Sequence, residues 1–183
     1  MSTLTLTTAS TTKLTTTTQK KVLDHCKSCR PGYKALFLAD GRRQCFKNIG
    51  VKPQSRAAHF CKQTGDKLPL PTSEWENDAL IEFVKSNFKR SDGKLFYGMF
   101  PLDLTDKSDN NWVTSEGKTP GYTKWAGGMP KSNTHGQKRQ AILFGNKMWH
   151  YYAGNFLRNT ICQQICPSLS SGYYSRLSFL KQT

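Results

Sequence analysis

Residues 57–88 read AAHFCKQTGDKLPLPTSEWENDALIEFVKSNF, and this stretch decides the fold class. Its first part predicts a short helix that ends at Gly65, because apolar residues recur at helical spacing before it. A proline-rich break follows. Ser73 and Glu76 then form a Ser-x-x-Glu capping box, which predicts the start of a second helix. The apolar face predicted for this helix consists of Trp75, Ala79, Leu80, Phe83, Val84 and Phe88.

Segments with strand-like composition lie on both sides of the two helices. Residues 33–46 carry aromatic and aliphatic side chains around Asp40-Gly41, which predicts a hairpin. The other predicted strands lie at 95–99, 141–144, 149–152 and 160–162. Residues 101–139 are rich in Asp, Asn, Gly, Lys and Pro and show no clear period, so we expect a long functional loop there.

Six cysteines give the clearest sign of the environment: Cys26, Cys29, Cys45, Cys61, Cys162 and Cys166. An even count gathered towards the two ends predicts disulfides that staple the termini together in an oxidising compartment. A zinc site built from Cys26-x-x-Cys29 and Cys162-x-x-x-Cys166 is the alternative. This zinc site would leave Cys45 and Cys61 unused. The spacer between its two cysteine pairs is also far longer than that of any zinc knuckle or ribbon.

The cysteines therefore predict an extracellular, secreted protein. Met1 leads directly into a threonine tract without the hydrophobic region of a signal peptide, so we expect a fragment or a mature form. We expect a Thr-rich disordered tract or stalk at 1–25, one domain at 26–166 and a C-terminal tail at 167–183. No stretch is long and apolar enough to span a bilayer.

The charge points to the kind of partner. The 183-residue chain carries a formal net charge of +15, which favours polyanionic partners. The basic residues are scattered, with no arginine-rich run and no helix striped in lysine and arginine. We therefore expect no specific nucleic-acid partner, and a solvated cationic surface is the alternative explanation.

A series of short motifs carries a resemblance to one family. In chain order they are Cys29-Arg-Pro-Gly-Tyr33 with Cys45-Phe46, Ala57-x-x-Phe60-Cys61-x-x-x-Gly65-x-x-Leu68-x-x-Pro71, Phe96-Tyr97-Gly98-Met99, Trp112 with Gly117, Tyr122-x-x-Trp125 with Gly128-x-Pro130, Gly145-Asn146-Lys147-Met148-Trp149, and Ile161-Cys162. Their order and spacing resemble the C-type-lectin-like domain family in its long form, which has an N-terminal hairpin. The resemblance implies an α+β fold of two helices flanking small antiparallel sheets, with a long irregular loop and disulfide staples.

The resemblance also implies disulfide pairs. Carried over to this sequence, the family's bridges join Cys29 to Cys45 and Cys61 to Cys162. The family's second long-range bridge would join cysteines near Gln140 and Gly154, and both are absent here. Cys26 and Cys166 remain, and we expect them to pair with each other; an intermolecular role for either is the alternative.

The calcium-sugar site of the family is not expected here. Family members that bind sugar through calcium place carboxylate and amide oxygens on both sides of a cis-proline, and here Met129 and Lys131 flank Pro130. Lys138 and Arg139 stand where further acidic ligands are expected. We therefore predict no metal and no cofactor. An auxiliary cation bound by Asp103, Asp106 and Asp109, with Asn110 and Asn111, is the alternative to a solvated acidic loop.

The predicted function is an extracellular binding module that recognises a glycan, including an anionic one, or a protein ligand without calcium, through its long-loop face. The candidate ligand-binding residues are Lys131, Lys138, Arg139, Trp149 and His150. Trp112 and Trp125 are expected to anchor the loop to the core. The alternative is a cationic secreted effector, antimicrobial or membrane-surface-binding. Catalysis is not expected, because the sequence offers no paired carboxylates, Cys-His couple or metal triad.

Overall fold

The computed structural model describes residues 26–89, 99–133 and 136–166. The tract predicted at 1–25, the tail at 167–183 and residues 95–98 of the strand predicted at 95–99 lie outside the described residues. None of the helices in the described part of the chain is long and apolar enough to cross a membrane.

Two helices and two four-stranded antiparallel sheets make up the described fold, which confirms the predicted α+β class. The first sheet has the order β1-β2-β8-β3 and the second the order β5-β4-β6-β7. The strands are β1 Lys34–Phe37, β2 Arg43–Pro53, β3 Asp66–Lys67, β4 Phe100–Asp106, β5 Trp112–Val113, β6 Arg139–Leu143, β7 Trp149–Ala153 and β8 Leu157–Gln164. The helices are α1 Ala57–Gln63, preceded by a 3-10 turn at Gln54–Arg56, and α2 Glu74–Asn87.

The predicted hairpin joins β1 to β2. Leu38 N–H donates to Arg42 C=O at 2.8 Å, and Gly41 takes a left-handed φ of +79° that a side chain would oppose. Because this turn fixes the β1–β2 register, Phe46 is placed opposite Lys34 on β1. On its other side, Phe46 lies opposite Gln163 of β8.

The predicted capping residue begins α2. Ser73 Oγ accepts a hydrogen bond from Glu76 N–H at 3.2 Å. The Glu76 carboxylate does not return to Ser73; it accepts from Thr72 N–H at 2.7 Å and from the Thr72 hydroxyl at 2.6 Å. Trp75, predicted on the apolar face, is 47% exposed, because the buried face of α2 runs through Ile81 and Val84 and Trp75 lies off its edge.

The core lies between α2 and the two sheets. Its fully buried members include Phe46, Phe100, Leu102, Leu104, Leu143, Trp149 and Ile161. Residues 101–106, predicted as loop, form most of the central strand β4 instead. The acidic residues that give this segment a loop-like composition are buried with partners: Asp103 accepts from Ser115, and Asp106 accepts from Arg139.

Three disulfides crosslink the first sheet and its neighbours. They pair Cys29 with Cys45, Cys61 with Cys162, and Cys26 with Cys166, with Cα–Cα distances of 5.4, 5.4 and 5.1 Å. All three predicted pairs are therefore present. Because every cysteine is in a disulfide, the zinc alternative is overturned.

Candidate functional site

The long loop, residues 107–138, leaves β4 and returns to the neighbouring strand β6. Its β5 residues pair back onto β4, with Trp112 opposite Asp106. Further along, Ala126 N–H donates to Trp149 C=O at 2.8 Å, and Trp149 N–H donates to Lys124 C=O at 2.7 Å. The Met129-Pro130 peptide bond is cis. The loop is thus fastened to the second sheet at two separate points.

Arg139, the first residue of β6, extends its side chain into this loop. Its Nε and Nη2 donate to Asp106 Oδ2 at 2.9 and 2.5 Å, and Nη2 also donates to Asn110 Oδ1 at 2.9 Å. Its Nη1 donates to the carbonyl of Lys131. One guanidinium therefore joins the end of β4, the 107–111 turn and the segment after Pro130, and only the several donors of arginine, fixed in one plane, suit such an arrangement.

Two aromatic rings flank the Arg139 guanidinium. Its carbon lies 4.4 Å from the centroid of Tyr151 and 5.4 Å from that of Trp112. Trp112 in turn contacts Trp125, with ring centroids 4.7 Å apart. Trp112 is buried and Trp125 is half-buried against the core, which confirms that both anchor the loop.

Two of the five predicted ligand-binding residues, Arg139 and Trp149, are buried. Arg139 is 3% exposed, because its register partner Asp106 draws it into the sheet. Trp149 is 0% exposed, and its Nε1 donates to Asn77 Oδ1 on α2 at 2.6 Å. Both side chains hold neighbouring elements together: Arg139 joins β6 to the loop, and Trp149 joins β7 to α2.

The other three predicted residues divide between two faces. Lys131 and Lys138 are exposed on the long loop. His150 is half-buried on the other face of β7, because side chains alternate along a strand and its neighbours Trp149 and Tyr151 pack against the core. There its ring lies 4.4 Å from the ring of Phe144.

The acidic residues considered for an auxiliary cation are separated in the structure. No group of three or more potential metal-ligating side chains occurs among the described residues. Asp106 is bound to Arg139, and only Asp109 is exposed, so the prediction of a solvated acidic loop is wrong for Asp103 and Asp106. Burial raises the pKa of Asp103 above its ordinary value, and hydrogen bonds from Ser115 N–H and Oγ offset part of this effect.

An ion-pair network ties the loop to α2. Lys124 Nζ donates to Glu74 Oε1 at 2.8 Å and to Asp78 Oδ1 at 3.2 Å, and Lys147 reaches Asp78 at 3.3 Å. The hydrogen bond to Glu74 raises the pKa of Lys124, although partial burial opposes the rise. The 122–126 segment is thereby fixed from both the sheet and the helix.

A groove that the sequence did not reveal lies beside the long loop. It encloses about 580 Å³ between the start of α1, the strand β6 with the residues before it, and the end of β7. Its walls come from residues 137–140 and 152–155, together with Gln54, Ser55, Ala58 and Thr105. Gln140 and Gly154, near which the family's second bridge would lie, both line it, so the missing cysteines were the available signal.

The sequence pattern described as the lectin C-type domain matches residues 51–164, more than half of the chain. This chain belongs to the C-type lectin domain family. It is 31% identical over 137 residues to pulmonary surfactant-associated protein D of Sus scrofa, covering 71% of this chain and 34% of that protein. The chain thus spans about a third of the length of this curated relative.

Solved C-type lectin structures share the fold. The mouse scavenger receptor C-type lectin carbohydrate-recognition domain superposes with a TM-score of 0.59 at 19% identity, covering 76% of this chain and 100% of that domain. A calcium-independent type II antifreeze protein superposes with a TM-score of 0.58 at 14% identity, covering 76% of this chain and 96% of that protein. The C-type lectin domain described here is accordingly consistent with a module that binds carbohydrate or protein.

Proposed function

We propose that this C-type lectin domain is a secreted module that binds an anionic glycan without calcium, through the exposed face of its long loop. The observation that carries the proposal is Arg139. A buried guanidinium paired with Asp106 bonds to the 107–111 turn and to the segment after Pro130, and so holds the loop to the end of β4. A loop held in this way has no need of a metal ion, and the Asp106 carboxylate is already paired with Arg139.

Two further observations support independence from calcium. Met129 and Lys131 flank the cis-proline, and a thioether and an ammonium group supply no oxygen ligands for calcium. The same fold occurs in an antifreeze protein described as calcium-independent. Calcium is therefore not a requirement of the scaffold.

The exposed charge of the loop supports an anionic ligand. Lys107, Lys131 and Lys138 are exposed along it. Ammonium groups form charge-assisted hydrogen bonds with sulfate and carboxylate groups, and the net charge of +15 attracts such polymers at long range. An acidic protein surface would use the same lysines and is the alternative ligand.

Secretion and a non-catalytic role also belong to the proposal. Three disulfides favour an oxidising compartment such as the extracellular space. With every cysteine in a disulfide, none can act as a thiolate nucleophile. The effector alternative lacks support in the described residues, because the first turn of α2 is acidic, with Glu74 and Glu76, rather than basic.

Heparin binding tests the proposal. Lys131→Ser with Lys138→Ser should weaken heparin binding about tenfold at 0.1 M salt, equivalent to about 1.4 kcal/mol. The matched control is Lys62→Ser with Lys89→Ser, two exposed lysines outside the long loop. Arg139 is left intact because its removal would disturb the loop itself. Binding should also fall steeply with salt, since the Debye length shrinks from about 10 Å at 0.1 M to about 3 Å at 1 M.

Two outcomes would contradict parts of the proposal. Equal losses in both lysine pairs would mean that the whole cationic surface attracts heparin diffusely. A rise of several degrees in melting temperature on adding calcium, reversed by EDTA, would show that the loop binds the ion.

A further inference from the structure

The groove beside the long loop has the dimensions and the chemistry of a ligand site. Its volume of about 580 Å³ lies within the range of about 300–1,000 Å³ that small-molecule sites occupy. Uncharged amides and hydroxyls dominate its polar lining: Gln54, Ser55, Thr105, Gln137, Gln140 and Asn155. These groups donate and accept hydrogen bonds, as sugar hydroxyls also do.

Gln54 is the strongest sign that a ligand belongs there. Its side chain is 1% exposed, and its Nε2 donates to Tyr152 C=O at 3.2 Å. That bond fixes the amide so that Oε1 points away from the Tyr152 carbonyl. No donor among the described residues reaches Oε1. A buried acceptor without a partner is unfavourable, and a small shift of the Gln54 side chain towards the groove would let a ligand hydroxyl supply the missing hydrogen bond.

The neighbouring wall is already arranged for binding. Ser55 Oγ donates to Asn155 Oδ1 at 2.6 Å, which joins the 3-10 turn to the turn before β8. Gln140 Nε2 donates to Leu102 C=O at 3.1 Å, which fixes its amide on β6. These bonds orient three polar side chains that line the groove before any ligand enters.

Tyr152 and Lys138 complete the lining. The Tyr152 ring supplies an apolar surface, held by Phe156 at 5.8 Å and by the Arg158 guanidinium at 5.0 Å. Lys138 is an exposed cation of the lining, whereas the charge of Arg139 is neutralised by Asp106. Among the described residues, no carboxylate lines the groove. An acidic substituent would therefore meet attraction and no opposing charge.

We infer that this groove is a sugar-binding subsite that holds one pyranose ring carrying a carboxylate or sulfate. Gln54 Oε1 accepts from a ring hydroxyl, Tyr152 contacts the C–H face of the ring, and Lys138 pairs with the acidic group. The inference rests on the proposed function and deepens it: the lysines of the loop attract the anionic polymer, and the groove recognises a single residue of it.

The test fills the groove and measures a small probe alongside heparin. Ala58 is exposed on α1 and lines the groove, so Ala58→Trp should occupy it without disturbing the core. Gln63→Trp, at an exposed position on the same helix outside the lining, is the matched control. The probe is the disaccharide of glucuronic acid and N-acetylglucosamine, titrated by NMR, with neutral chitobiose in parallel. Asn155→Ala is a second variant at an exposed position of the lining.

Ala58→Trp should weaken disaccharide binding at least tenfold and Asn155→Ala several-fold, whereas Gln63→Trp leaves it within twofold. Heparin binding that persists in the wild type without measurable disaccharide binding would overturn the groove and leave the proposed function standing. Absence of both would overturn the proposed function, and the groove with it. Equal affinity for chitobiose would overturn the acidic specificity, and a disaccharide that binds Ala58→Trp normally would place its site elsewhere.

Discussion

The two sheets are stabilised by different kinds of interaction. The first sheet and its neighbours carry three disulfides, with Cys45 in β2 and Cys162 in β8. The second sheet and the long loop contain no cysteine among their described residues and depend on the Arg139 pair and on packed aromatic rings. Crosslinks act mainly by restricting the unfolded chain, whereas a buried charge network acts on the native geometry. Single substitutions can therefore change the structure of the long loop while the first sheet keeps its own.

The largest expected effect concerns the scaffold. Replacing Cys61 and Cys162 with alanine opens a crosslink with a sequence separation of 101 residues and should lower the free energy of unfolding by about 4–5 kcal/mol. Removing Cys29 and Cys45, which are separated by 16 residues, should cost about 3 kcal/mol. Urea denaturation of the two double variants measures both. A greater loss from the shorter crosslink would mean that native-state packing, and not chain entropy, sets the contribution.

The next effect belongs to the loop. Arg139→Met leaves the Asp106 carboxylate buried without its cation and should lower the free energy of unfolding by about 3 kcal/mol. Adding Asp106→Leu should recover most of that loss, because an apolar pair replaces a half-broken ionic one. Hydrogen exchange should accelerate in the long loop of the single variant and stay unchanged in β2 and β8. Equal acceleration of hydrogen exchange in both sheets would mean that the Arg139 pair stabilises the whole domain and not the long loop in particular.

The smallest expected effect is a dependence of stability on pH that arises in the second sheet. Because burial raises the pKa of Asp103, the folded state binds its proton more tightly than the unfolded chain does. This contribution favours folding below the ordinary aspartate pKa and is lost as the pH rises through the raised value. Asp103→Asn should therefore match the wild type at low pH and exceed it at neutral pH, by less than the ~1 kcal/mol of a single hydrogen bond.

Glu116→Gln provides the control of opposite sign. The hydrogen bond from Lys118 lowers the pKa of Glu116, so its ionised form favours the folded state as the pH rises through its ordinary range. Glu116→Gln should thus lose a little stability at neutral pH, where Asp103→Asn gains it. Thermal melts from pH 3 to pH 7 of both variants, compared with the wild type, check the two signs.

The sequence predicted the features that depend on short spacing or on the family pattern. The Ser73 cap, the Asp40-Gly41 hairpin and all three disulfides are found in the structure. Strand β4 was missed because a buried aspartate has the same letter as an exposed one. The burial of Asp106 depends on its partner Arg139, which lies 33 residues further along the chain.

The candidate site was harder to predict for the same reason. Lys138 and Arg139 are adjacent cations in the sequence, yet one is exposed and the other is internal, because only Arg139 faces Asp106 across the β4–β6 pairing. The groove forms only because the fold brings together three segments that are far apart in sequence. The absence of two cysteines indicated a change near Gln140 and Gly154, but the orientation of Gln54 could come only from the fold.

The bridge between Cys26 and Cys166 has a mechanical consequence. Its two Cα atoms lie 5.1 Å apart, although 140 residues separate them in sequence. The segments before residue 26 and after residue 166 are therefore attached to the domain at nearly one point. A pulling force transmitted along the chain from one segment to the other passes through this covalent link and bypasses both sheets. The long loop and its groove can keep their shape while the chain on either side is under tension.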